Sequence, residues 1–276
     1  MHVLALDLGT SGAKAALIDL RTGETTAACS QPHPTHTLPG GGVEQSPEDW
    51  LAAARVAVAA LPTDDVAALS VTGQMQDLIC LDGSGAAIGR AILYNDTRAT
   101  DAATAIATEV PHWVEITGNE QNATSNAAML RRLHDSGDPR ASADAVLFSP
   151  TGYLLHRLGL GQFVDPTTAS TTGLMDLATR TWSREVCAAA HCSPGTLPEI
   201  RSGHVGDTAD GNAAVGELHR KAAQRHDHQR FDECNLLIQI AAASLDFVRL
   251  RIAVVGRATL DHVGDKDLVA RHIDAG

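Results

Sequence analysis

Residues 4–19 read LALDLGTSGAKAALID, and the order of residue types in this stretch decides the fold. An apolar strand delivers a carboxylate, Asp7, to its end, a turn built from Gly9, Thr10, Ser11 and Gly12 follows, and a second apolar strand leaves it. The turn residues are small enough for backbone N–H groups to face a phosphate. The Gly-x4-Gly-Lys frame of a Walker A loop is absent, and the strand that follows is not the helix a Rossmann fingerprint requires. Read in isolation, the same residues also describe a plain hairpin with a chance aspartate.

Outward from this hairpin the chain alternates strand and helix signals. RTGE (21–24) reads as a turn into a third strand, TTAACSQ (25–31), and residues 33–46 read as a Pro- and Gly-rich loop. Ser46, Pro47, Glu48 and Asp49 predict a helix start, with Ser as N-cap, Pro at the first position and acids against the helix dipole. VAALSVTGQ (66–74), LICLD (78–82) and AILYND (91–96) read as strands, and helices are expected near 99–109, 124–135 and 183–191. AVLFSPTGYLLHRLG (145–159) reads as strand, turn and helix, with a Thr- and Ser-rich loop after it. This alternation predicts an α/β layer fold.

Composition narrows the function classes. The net charge of −12 argues against a nucleic-acid-binding surface, which needs a basic face. No apolar run of membrane-spanning length occurs, so no membrane role is expected. The N-terminus lacks the basic flank and apolar core of a signal peptide. The five cysteines (29, 80, 187, 192 and 234) have no zinc-knuckle spacing and read as reduced thiols of a cytoplasmic protein. Residues 217–276 carry nine Lys+Arg against nine Asp+Glu, so the whole negative charge lies in the first 216 residues. That shift marks residues 206–276 as a tail of different character. Its runs CNLLIQIAAASL (234–245) and LRIAVVG (250–256) suggest a helix and a strand, and its histidines between 219 and 228 show no fixed four-ligand pattern.

The ordered series DLGTSGAKA, GGVEQSPEDW, GQM, YNDTRA, ITGN and TASTTGLMDLATRTWS, spread over residues 1–205, resembles the first domain of the FGGY carbohydrate kinases. The resemblance implies an actin-like, ribonuclease H-like sugar-kinase domain, a mixed sheet with flanking helices, and ATP bound against a second such domain. It places Gly9, Thr10 and Ser11 over the ATP phosphates and gives Asp7 a water-mediated part in holding Mg²⁺. Thr72-Gly73-Gln74-Met75-Gln76 falls where the family reads its sugar, and Gly73, Gln74 and Met75 match the xylulokinase branch. Gln76 stands where that branch usually has His; an amide still bonds hydroxyls but does not titrate. Tyr94-Asn95-Asp96-Thr97-Arg98 is similar to the family's Trp-Asn-Asp-x-Arg, so Asn95 and Asp96 are expected to bond sugar hydroxyls and Arg98 to orient an acid or line the cleft. An Asx turn that starts the helix near Ala99 accounts for the same residues.

The implied reaction is phosphorylation of D-xylulose by ATP, with another ketose or polyol, or an inactive sugar-binding single domain, as alternatives. The base of such chemistry is a carboxylate that takes the attacking hydroxyl's proton. In the family it is an Asp after Gly near what would be residues 230–238. The segment there, RFDECNLLI, has Asp232 without a glycine, and Gly206-Asp207 arrives early, so no catalytic residue is assigned. The expectation is an incomplete kinase without its second domain.

Overall fold

In the computed structural model, residues 1–201 are described, together with the backbone strands Leu236–Ala241 and Arg249–Val254. The Leu-Ala alternation at the N-terminus produces β1 (His2–Leu8) and, after the four-residue turn, β2 (Gly12–Asp19). They pair antiparallel in unbroken register from His2↔Asp19 to Leu8↔Ala13. Asp19 Oδ1 then accepts from the N–H groups of Arg21 and Thr22, an Asx turn that leads into β3 (Thr25–Pro32).

The segment expected to be loop at 33–46 instead contains a hairpin, β4 (His36–Leu38) and β5 (Gly42–Gln45). Gly40 and Gly41, both at positive φ, supply the reversal that the sequence reading took for a featureless loop. Helix α1 (Pro47–Ala59) follows, with Pro47 at its first position; Ser46 occupies the N-cap but makes no side-chain capping bond. The remaining elements are β6 (Val66–Gly73), β7 (Ile79–Leu81), β8 (Ala91–Ile92), α2 (Thr100–Glu109), α3 (Trp113–Thr117), α4 (Asn126–Asp135), β9 (Ala145–Leu147) and α5 (Pro150–Arg157). After them come β10 (Phe163–Val164), α6 (Pro166–Thr171), β11 (Met175–Asp176), β12 (Thr181–Trp182), α7 (Arg184–Ala189) and β13 (Glu199–Ile200). The Thr/Ser run expected to be loop thus begins as helix α6, because Asp165 caps it by accepting from the N–H groups of Thr167 and Thr168.

The main sheet has the order β15-β14-β6-β1-β2-β3, where β14 is Leu236–Ala241 and β15 is Arg249–Val254. β6 runs parallel to β1, while β14 pairs antiparallel with β6. The run at 234–245 therefore contributes a strand where a helix was expected: its β-branched and Leu side chains at 236–240 suit a ladder as well as a helix, and β6 offers an edge. Alanines set the packing distance on one face. Ala13 and Ala15 of β2 meet Ala53, Ala54 and Ala57 of α1, with Leu4, Leu6, Leu8, Leu69 and Val71 completing that core. A second core gathers α2, α4 and α7 around Trp113, Met129 and Phe148. Trp50, Ile79, Leu93 and Tyr153 form a third between them. Among the described residues no helix is long and apolar enough to cross a membrane. Cys29, Cys80, Cys187 and Cys192 are free thiols, and Cys234 lies outside the described residues.

Gly12 is where the hairpin tolerates no side chain. A Cβ there would sit 2.5 Å from the Gln31 carbonyl oxygen and 2.9 Å from the Pro32 Cα, both backbone atoms of β3. Gly12→Ala should therefore destabilise the chain by about 1–3 kcal/mol, read as a lower denaturant midpoint with an unchanged slope.

Candidate functional site

Because β1 and β6 are parallel neighbours in register, with Asp7↔Thr72 and Leu8↔Gly73, their carboxyl ends stop side by side. The loops that leave those ends are the Gly9–Gly12 turn and the Gln74–Asp77 segment. Open α/β sheets place ligands at such adjacent strand ends. The two loops are joined at their bases by the Gln74 N–H, which donates to the Leu8 carbonyl at 3.0 Å. Gly73 has to be glycine for this approach, since a Cβ would lie 2.7 Å from that same carbonyl oxygen. Within the first turn the Gly9 N–H is closed onto the Gly12 carbonyl at 3.1 Å. The Gly9 N–H is thus engaged within the turn, and the remaining turn amides belong to Thr10 and Ser11. Asp7 is half-buried at the head of the turn, with Lys14 Nζ 3.7 Å from its Oδ2.

Gln45, fully buried at the end of β5, ties this turn to the rest of the site. Its Nε2 donates to the Thr10 carbonyl at 2.7 Å and lies 2.6 Å from Thr35 Oγ1; its Oε1 accepts from Trp50 Nε1 at 2.7 Å and from Gln74 Nε2 at 2.9 Å. One amide thus holds the first turn, helix α1 and the second loop. The sequence reading treated Gln45 only as part of a motif; its place just ahead of a helix start was the one available signal.

The second loop is shaped by Gln76, whose φ of 67° puts a non-glycine residue in the left-handed region. Such a conformation costs roughly 1–2 kcal/mol and persists because the neighbours hold it: Gln76 Nε2 donates to the Thr124 carbonyl at 3.1 Å, and Asn126 Nδ2 donates to the Gln76 carbonyl at 3.1 Å. Met75 is half-buried, its Sδ 3.7 Å from the Thr168 hydroxyl, which in turn donates to Asp165 Oδ2. Behind Gln76 lies Asp77, wholly buried, with Oδ1 3.4 Å from the Tyr94 N–H and Oδ2 without a partner. Burial pushes its carboxyl well above the ordinary carboxylate range, opposed only by the Tyr94 N–H. Gln74 Oε1 and Asn126 Oδ1 are likewise buried acceptors without a donor among the described residues. Asn126 carried no signal in the sequence, because it comes from an element distant from the motif it contacts, whereas Thr168 opens the TASTTG motif, whose link to Met75 only the fold reveals.

The YNDTR segment divides in two. Tyr94 and Asn95 are exposed. Asp96 is 2% exposed, and its oxygens accept from the Val43 N–H at 2.9 Å, the Arg98 N–H at 3.0 Å, and Arg98 Nε and Nη2 at 2.9 and 2.6 Å. Its carboxylate is thus engaged by backbone and guanidinium donors inside the protein, the Asx turn that starts the next helix among them. Arg98 Nη2 also reaches Glu44 Oε1 at 2.7 Å, and Arg140 joins the same oxygen at 3.1 Å. Burial works against the Arg98 charge, but the hydrogen bonds it donates to Asp96 and Glu44 outweigh it and raise its pKa. Asp207 and Asp232, the two acids weighed as a base, lie outside the described residues.

With this geometry in place, the sequence can be set against known proteins. Residues 2–219 match the FGGY family of carbohydrate kinases, N-terminal domain. The chain belongs to that family, and the match runs past residue 205, where the sequence reading set its boundary. A xylulose kinase of Escherichia coli K12 is 34% identical over 213 residues, which cover 72% of this chain and 42% of that protein. A glycerol kinase of Nitrobacter hamburgensis is 31% identical over 232 residues, covering 75% of this chain and 44% of the relative. The crystal structure of a "xyloylose kinase" from Brucella ovis superposes with a TM-score of 0.67 at 31% identity, over 74% of this chain and 44% of that one. The chain thus spans less than half the length of these relatives, and its fold is that of the actin-like sugar kinases.

Two outcomes follow from the buried acids. Folding raises the Asp77 pKa above its unfolded value near 3.8, so the unfolded chain loses that proton first as pH rises. The contribution of the neutral carboxyl is complete below about pH 4 and is lost as pH climbs toward the folded value. Thermal midpoints from pH 4 to 8 should show Asp77→Asn gaining on the wild type as pH increases; a constant difference would mean the carboxyl is not held neutral. Asp96→Ala should lower stability by about 3 kcal/mol, because it leaves the half-buried Arg98 short of a partner, and denaturant titration of the variant reads this directly.

Proposed function

We propose that this chain forms the sugar-reading domain of an ATP-dependent kinase that phosphorylates a ketose hydroxyl, with D-xylulose as the substrate. The observation that carries the reading is the in-register ending of β1 and β6, which sets a phosphate-sized turn beside the Gly73-Gln74-Met75-Gln76 loop. The xylulose kinase relatives support the choice of sugar. In this reading Met75 offers an apolar surface to the carbon skeleton. Gln76 and the exposed Asn95 bond hydroxyls, and Asp96 with Arg98 keeps Asn95 and Tyr94 in place from behind.

On the phosphate side, Thr10 and Ser11 present backbone donors, Gly9 leaves room, and Asp7 offers a hard oxygen ligand suited to Mg²⁺ bound largely through water. The lysine at 3.7 Å tempers the Asp7 charge without blocking the turn. Mg²⁺ bound with ATP would neutralise charge on the phosphates as one passes to the sugar. A second reading, a polyol kinase, is favoured by the 31% identity to a glycerol kinase and by Gln76 in place of the expected His.

Calorimetry of the chain with D-xylulose, glycerol and gluconate separates the two. D-xylulose should bind tightest, and Gln76→Ala should weaken it roughly 2- to 10-fold, the worth of one neutral hydrogen bond. Tighter binding of glycerol would transfer the assignment to the polyol reading.

A further inference from the structure

Away from the two loops, the carboxyl ends of α4 and α7 meet at the surface. α4 finishes with His134 and Asp135, and α7 is followed by Ala190 and then His191. His134 Nδ1 lies 3.2 Å from Asp135 Oδ1, the rings of His134 and His191 stand 4.0 Å apart and nearly parallel, and ligand atoms of all three residues fall within 4.8 Å of one another. Two donors held about 2.0–2.1 Å from one tetrahedral zinc are about 3.3 Å apart, so the His134–Asp135 pair already has a chelating separation. All three side chains are exposed, so a side-chain rotation is all His191 needs to close the remaining gap.

Two further features fit a held ion. The other carboxylate oxygen, Asp135 Oδ2, accepts from Arg131 Nε at 2.8 Å, while Arg131 Nη1 donates to Glu109 and to the Ala189 carbonyl. Arg131 therefore fixes the carboxylate with Oδ1 turned to the histidines, the outer support that metal-bound carboxylates usually have. His191 itself sits at φ 54°, directly after α7, where the Cys192 N–H returns to the Cys187 carbonyl at 2.9 Å. Glycine is the ordinary occupant of that helix-ending position, and the chain carries an imidazole there instead.

We infer that His134, Asp135 and His191 form a site for a divalent transition cation such as Zn²⁺, which clamps the end of α4 to the end of α7. Two imidazoles and one carboxylate select a borderline cation over Mg²⁺, which prefers oxygen ligands alone. The site is independent of the phosphate turn and of the sugar assignment.

The test is calorimetric titration of the full chain with zinc chloride, beside His191→Gly and a control, His226→Ala/His228→Ala, that removes tail histidines. His191→Gly takes away a ligand while relaxing the backbone, so lost binding cannot be laid to misfolding. The expected result is a site weakened at least about tenfold in His191→Gly and unchanged in the control, with zinc raising the thermal midpoint of the wild type and the control but not of His191→Gly. Equal zinc affinity in the wild type and His191→Gly would overturn the proposal, as would loss of the zinc site in the control alone.

Discussion

The parallel pairing of β1 with β6 is the constraint on which the rest of the site depends. Neighbouring parallel strands need a crossover, and here it is built from β2, β3, the β4–β5 hairpin and α1. That crossover brings the hairpin and helix across one face of the sheet and seats Trp50 and Gln45 beneath the strand ends. A slip of one residue between β1 and β6 would turn Leu4, Leu6 and Leu8 away from the alanine face of α1, so the register is fixed by burial. The alignment of the two loops is thus inherited from the core.

Gln45 converts that alignment into a rigid connection. As an amide it has donors on one side and acceptor capacity on the other, and both sides are in use. A glutamate of the same shape would set two acceptors, the Thr10 carbonyl and its own oxygen, against each other. A methionine would leave the Trp50 N–H and the Thr10 carbonyl buried without partners. The charged cluster of Glu44, Asp96, Arg98 and Arg140 works on the opposite side of β5, where Asp96 also takes the Val43 N–H. β5 is therefore pinned from both faces, through Gln45 toward the Gly9–Gly12 turn and through Glu44 toward the YNDTR loop.

Much of this was legible in the sequence where local signals and periodicity agreed. The first hairpin, the helix after Ser46-Pro47, the strand at 66–74 and the helices at 100–109 and 126–135 form where their residues predict them. What escaped notice depended on distant partners. The β4–β5 hairpin was hidden because its strands are short and bounded by Gly and Pro, so that only pairing with β8 reveals it. The surroundings of Asp96 escaped for a related reason: a carboxylate beside an exposed asparagine looks available until Val43 and Arg98 are seen to enclose it. Asn126 and Thr168 are separated from the loop they support by tens of residues and by intervening elements. The loop of residues 73–76 was readable as a segment, since Gly73-Gln74-Met75-Gln76 follows the end of a strand that its own residues predict.

The left-handed backbone at Gln76 also limits what position 76 can become. Side chains branched at Cβ are nearly barred from that conformation, while Gly, Asn, Asp and His enter it far more readily than Val, Ile or Thr. A combinatorial library at this codon would therefore return a short alphabet of mostly small or polar residues, before any ligand exerted selection. The vocabulary of hydrogen bonds open to this corner of the cleft is written by a single torsion angle.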